Sequence, residues 1–224
     1  MSAEEPAPVD HGLLQRVEIF SDVVLGFCLA ELGLSLSLPV GPGHVIEVLT
    51  KPWGLVAFVW TFGTICLLWV RNNHLFKHYF IPNALSIVLN FAQLGAAVLM
   101  VYMVQLLLRA IQLDGPGDIK AALAMYFGSY VLLQVLLGAL FLYGLRKRWG
   151  TLDAPLRARG VTATMRLFAG AIAMAGLGYG GAHGPKIFAV TAMVFIPFVL
   201  IAGRLGPLAL IHAMGLRKPT GSSE

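Results

Sequence analysis

Long apolar runs alternate with short polar breaks along the chain, and the runs have the length of membrane-spanning helices. The first runs from about Arg16 to Leu38 and stops at Pro39-Val40-Gly41-Pro42-Gly43, a cluster that ends a helix. From Phe20 to Leu38 it covers roughly 28 Å at about 1.5 Å per residue, close to the hydrocarbon thickness of a bilayer. A second run spans about Trp53 to Val70, with Trp53 and Trp69 placed as interfacial residues, and Arg71-Asn72-Asn73-His74 with Lys77-His78 is expected to turn the chain. The third covers about Asn83 to Leu113 and is broken by Asp114-Gly115-Pro116-Gly117-Asp118. The fourth covers about Ala121 to Leu145 and ends in Arg146-Lys147-Arg148. Thr151 to Met165 is expected to be a polar loop, followed by a Gly- and Ala-rich fifth run over about Leu167 to Gly181. The sixth, about Ile187 to His212, is interrupted by Pro197 and by Arg204-Leu205-Gly206-Pro207. The pattern predicts an all-α, six-span membrane domain over 16–214, with a disordered tail over 1–15 and a polar tail over 215–224.

The first run is unusual among the six in holding two carboxylates. Asp22 lies at its entrance, where it can stay hydrated. Glu31 lies past its middle, where a charge is unfavourable unless it lines water or finds a partner. At 100° per residue, Gly26, Ala30, Gly33 and Ser37 share one face at a spacing that permits close helix approach. Phe27, Glu31, Leu34 and Leu38 share the neighbouring face. Two readings follow. Either both faces pack, and Glu31 bonds to Gln93, Gln105, Arg109 or Gln134 on a neighbouring helix, or Phe27, Glu31 and Leu34 face an ion pathway.

Composition supports the membrane reading: 58% of the 224 residues are hydrophobic and only 12% charged, too few polar groups to coat a soluble domain. The net charge of +5 does not indicate nucleic acid, because the cations sit in short breaks between spans. Their distribution orients the chain instead. Six spans place both termini on one side, which collects Arg16, Arg71, Lys77, Arg146 to Arg148, Arg157, Arg159, Arg166, Arg217 and Lys218. The other side has Lys51, Lys120, Lys186 and Arg109, so both termini are expected in the cytoplasm. Cys28 and Cys66 fall inside apolar runs and are expected to be reduced.

Arg16-x-x-x-Phe20-Ser21-Asp22 at the start of a first span resembles the signature of the transmembrane protein 175 family, potassium channels of endosomes and lysosomes with single-repeat relatives in prokaryotes. Trp69, with Asn72-Asn73-His74 and Phe76 after it, resembles the family's Trp-x-x-His-His-x-x-Phe, and Asn90 resembles the asparagine of its third span. The resemblance covers residues 16 to about 91. It implies a homotetramer in a prokaryotic plasma membrane, with the first helices lining a central pore that passes monovalent cations, potassium above all, without a cofactor. It implies a polar network of Arg16, Phe20, Ser21, Asp22, Trp69, His74 and Asn90, and a constriction at Phe27, Glu31, Leu34 and Leu38. The sequence also departs from the family. Its usual mid-helix threonine and the following leucine are Ala30 and Glu31 here, the His-His pair is Asn72-Asn73, and Val101-Tyr102 replace a proline-phenylalanine.

Four copies of Glu31 around one axis would form an acidic ring, a device that favours cations. Four carboxylates so close in a poorly hydrated tube cannot all ionise, so conduction is expected to depend on pH and to admit protons. The rival expectation is a non-conducting structural or binding protein in which Glu31 pairs internally. Gly178-Tyr179-Gly180 echoes the end of a potassium selectivity filter but lacks its Thr-Val lead-in, and is expected to be a close-packing face or a turn. His74 and His78 stand at i, i+4 beside Lys77 with no acidic neighbour, which favours a network role over a metal site. No nucleophile–base pairing or metal constellation points to an enzyme.

Overall fold

The computed structural model describes residues 11–35, 53–112, 116–184 and 186–194, and these are all-helical apart from short connections. In chain order the helices are α1 (His11–Ser35), α2 (Trp53–His78), α3 (Ala84–Gln112), α4 (Pro116–Lys147) and α5 (Ala154–His183). A further helical stretch covers 186–194. Leu38, Pro197, Arg204, Pro207 and both outermost tails lie outside the described residues.

Among the described residues four helices, α2 to α5, are long and apolar enough to cross a membrane. The first helix is not among them, since Arg16, Glu18, Asp22 and Glu31 interrupt its apolar character. It begins at His11, so residues 11–15, expected in a disordered tail, are helical.

Two expected loops are also helical. In α2 the helix continues through Arg71-Asn72-Asn73-His74 to His78 because Asn72, Leu75 and Phe76 keep one face buried while Asn73 and Lys77 face out. It stops where Tyr79 and Phe80 both donate their N–H groups to the Leu75 carbonyl and Pro82 follows. Asn83 then caps α3, its Oδ1 accepting from the Ser86 N–H at 2.9 Å. Most of the expected loop at 151–165 is instead helical, residues 154–165 forming the first part of α5. Asp153 is extended at the N-cap, Pro155 sits in the first turn, and buried Gly160, Val161, Thr164 and Leu167 form a continuous inward stripe. At the far end Gly184 takes φ 119° and its N–H closes on the Gly180 carbonyl.

The most extensive seams join α4 to α5 and α3 to α4, and α1 rests against α2 and α3. Tyr79 is a hub at the basic end of this bundle. Its hydroxyl donates to the Leu156 carbonyl at 2.6 Å, its backbone abuts Gly144 and its ring abuts Gly160. Burial raises the pKa of its phenol, against an opposing pull from the cationic Arg159. Nearby, Arg148 donates to the His78 carbonyl at 3.2 Å and ties α4 to the end of α2.

Candidate functional site

The first helix is buried on one side only. Val17, Ser21, Leu25, Cys28 and Leu32 recur at helical spacing and pack inward, with Leu25 at 1% and Leu32 at 0% exposure. The opposite stripe, Phe20, Val23, Phe27, Glu31 and Leu34, lies within roughly 40° of Phe27 on the helical wheel and is exposed. Phe27 is 72% and Leu34 80% exposed. Arg16 is exposed on the same side. Beside this stripe, Gly26, Ala30 and Gly33 are exposed as well, and a Cβ on either glycine would have no heavy atom of the described residues within 4 Å. The constriction residues that are described therefore share one open face, next to an open face of small residues.

At the basic end, Ser21, Asp22, Trp69 and Asn90, four of the residues expected to form a polar network, come together in pairs, while Arg16 is exposed outside them. Trp69 Nε1 donates to Asp22 Oδ1 at 2.9 Å, joining α2 to α1. Asn90 Nδ2 donates to Ser21 Oγ at 3.0 Å, joining α3 to α1, and the Ser21 hydroxyl donates on to the Val17 carbonyl at 2.8 Å. Phe20 meets Phe91 edge to face, with centroids 5.4 Å apart. Two neighbouring α1 residues thus bond to two different helices, which fixes the rotation of α1 and so aims the Phe27 stripe away from the bundle. His74 stands apart from this network. It meets His78 edge to face at 4.8 Å and Tyr79 at 5.5 Å, on the side toward α4. Among the described residues there is no group of three side chains able to hold a metal ion.

Glu31 has a partner. Gln105 of α3 donates from Nε2 to Glu31 Oε1 at 3.0 Å, while the carboxylate remains exposed. The other expected partners are elsewhere: Gln93 and Gln134 are buried, and Arg109 is exposed. One carboxylate oxygen is held and the side chain still borders the open stripe, so the arrangement serves either reading of Glu31.

Sequence reasoning misses several buried amides. Neither amide atom of Asn72 or of Gln93 has a hydrogen-bond partner among the described residues, and Asn90 Oδ1 is also unpaired. The available signal is their spacing: Ser86, Asn90, Gln93 and Ala97 follow i, i+4, i+7, i+11 along the inward face of α3. Cys28 is buried and Cys66 half-buried, both as free thiols. Gly178-Tyr179-Gly180 is helical, with Gly178 against Phe127, Gly180 against Phe188 and Thr191, and Tyr179 exposed; it is a packing face.

Residues 16–101 match a family model described as endosomal/lysosomal potassium channel TMEM175. The fold is similar to that of a variant of the potassium channel MtTMEM175, solved in complex with a nanobody–MBP fusion protein. That match has a TM-score of 0.61 at 14% identity and covers 85% of this chain and 92% of the other. No curated protein matches the chain by sequence. The matched family is one of ion channels, in agreement with the sequence reading that set an enzyme aside. The chain is a multi-pass integral membrane protein, and its residues 16–101, the segment that builds the Ser21–Asn90 and Asp22–Trp69 links, match the TMEM175 potassium channel family.

Proposed function

We propose that the chain is a passive cation channel of potassium-channel type, a homotetramer in which four copies of α1 surround a central pathway. The observation that carries this reading is the one-sided burial of α1, with Phe27, Glu31 and Leu34 exposed together on a helix whose rotation Trp69 and Asn90 hold. Exposed charge on a membrane helix is unfavourable in lipid and favourable along water, which supports a hydrated axis on that side. The open face of Gly26, Ala30 and Gly33 supports close approach by a second copy, since no described residue of the same subunit fills it. The reading includes six spans, both termini in the cytoplasm, and residence in a prokaryotic plasma membrane. Phe27 and Leu34 form the narrow rings, with Leu38 continuing their stripe, and Glu31 forms an acidic ring that favours cations and makes flux pH-dependent with proton passage.

The test is ion flux into liposomes holding the purified protein, with potassium, sodium and proton gradients applied separately to wild type and Glu31→Gln. Potassium flux is expected, with altered selectivity or pH response in the variant. Equal flux of the variant at acidic and neutral pH, identical to wild type, would remove Glu31 from the pathway.

The Gln105–Glu31 bond supports a second reading, a non-conducting membrane protein in which the pair is an internal tie. In that case Glu31→Gln changes stability and no ion passes through an intact tetramer.

A further inference from the structure

Three arginines converge on one cleft at the basic end of the bundle. Arg71 comes from the last turns of α2, and Arg159 and Arg166 from α5, where the i, i+7 spacing puts them on one face. The cleft has a volume of about 330 Å³ and is completed by Ala158, Thr162 and Ala163. Its lining contains no carboxylate. Other cations of this end are already engaged: Arg148 on the His78 carbonyl, and Arg157 over the Trp149 ring at 5.6 Å. The three cleft arginines form no ion pair among the described residues. Arg71 is half-buried in the wall, while Arg159 and Arg166 are exposed at the mouth.

Like charges around one cleft repel, and an anion between them reverses the sign of that interaction. Guanidinium forks match phosphate oxygens bidentately, more closely than they match chloride or a single carbonyl. The Thr162 hydroxyl donates to the Ala158 carbonyl at 2.8 Å, so the donors offered to a ligand are those of the arginines. Depth identifies the source. Trp69 lies two residues before Arg71, and Trp149 carries Arg157, so the cleft stands at the level of an aromatic belt, where lipid phosphates lie. We infer that the Arg71–Arg159–Arg166 cleft binds a phosphate group, presented as the headgroup of an acidic phospholipid from the adjoining leaflet. The site uses α2 and α5 and is separate from the α1 pathway. Basic pockets between spanning helices are a recurrent form of headgroup site.

The experiment is native mass spectrometry of the full-length protein in detergent, counting lipid retained after exposure to phosphatidylglycerol, to phosphatidylcholine, and to phosphatidylglycerol with inorganic phosphate at equal concentration. Wild type is expected to retain phosphatidylglycerol in preference to phosphatidylcholine. Replacing the two exposed residues, Arg159→Gln with Arg166→Gln, weakens that retention about thirtyfold, at about fivefold per arginine. Arg71→Gln tests the wall separately, and Arg157→Gln, outside the cleft, leaves retention unchanged. Displacement of the lipid by inorganic phosphate at equal concentration keeps a phosphate site but overturns the lipid source. Equal retention of both lipids by wild type, equal retention by the double variant, or the same loss in Arg157→Gln overturns the site.

Discussion

Two helices of this protein carry small residues at helical spacing, and the structure puts them to opposite uses. In α5, Gly160 meets Tyr79 and Leu145, Gly170 meets Gln134, and Gly178 meets Phe127, each so closely that a Cβ would approach within 3 Å of its neighbour. In α1, a Cβ on Gly26 or Gly33 would meet nothing within 4 Å among the described residues. Small residues let helices approach in a membrane, where apolar area alone gives little drive to associate. The α5 face has been used inside the subunit. The α1 face is still available, and it lies beside the stripe that holds Glu31. A small-residue motif therefore says that a helix approaches something; burial says whether the partner is in the same chain.

The comparison breaks most visibly at the α4–α5 end. Gly144→Leu drives a side chain into the Tyr79 carbonyl, and Gly178→Leu drives one into Phe127. Overpacking costs about 1–3 kcal/mol where side chains can yield and more where backbone blocks the way. Gly144→Leu is expected to abolish recovery of monodisperse protein, and Gly178→Leu to lower its thermal midpoint, both read by fluorescence-detected size exclusion on heating. Next in size is Gly33→Leu in α1. It is expected to leave the helical circular-dichroism signal of the subunit unchanged while shifting the assembled mass toward smaller species, measured by light scattering. A subunit destabilised as much as by Gly178→Leu would mean that the α1 face packs internally.

Gln105→Leu sharpens the same contrast from the side of the pathway. It frees Glu31 without touching its charge, so the acidic ring remains and its selectivity should persist, whereas an internal tie would be broken. Flux and thermal midpoint measured together separate the two. Asp22→Asn weakens the link from Trp69, at a cost of about 1 kcal/mol for a charge-assisted bond at an exposed position, read as a lower thermal midpoint. The smallest effect is expected from Thr61→Val, which removes the 3.0 Å bond to Tyr126 between α2 and α4. Hydrogen bonds between membrane helices average about 0.6 kcal/mol, so the midpoint should fall only slightly.

The number and order of the first five helices are legible in the sequence, because apolar runs of span length tolerate few other structures. Their ends are less so. Residues 71–78 and 154–165 have the polar composition of a turn, and what makes them helical is tertiary: Leu75 and Phe76 in the core, and Gly160 against Tyr79. The network residues Ser21, Asp22, Trp69 and Asn90 can be found from their motif, since a short polar signature stands out against an apolar span. The partner of Glu31 cannot. Gln93, Gln105 and Gln134 are the same side chain on inward or half-inward helix positions, and only the packing of α1 on α3 selects Gln105. The cleft arginines are visible as charge but not as a site, because Arg71 is 88 positions from Arg159 and only the fold brings them together.

Tyr79 has a consequence for the order in which the protein is made. It follows directly on α2, within the segment that matches the channel family, yet its hydroxyl acceptor is Leu156 and its backbone sits against Gly144. Both lie in helices that the ribosome has not yet synthesised when α2 and α3 are complete. The segment that carries the family signature therefore enters the bilayer with its tyrosine unplaced, and waits for roughly a further fifty-five residues before the turn after α2 can lock. A chain truncated after Gln112 would contain the whole matched segment and still lack the groups that hold its basic end closed.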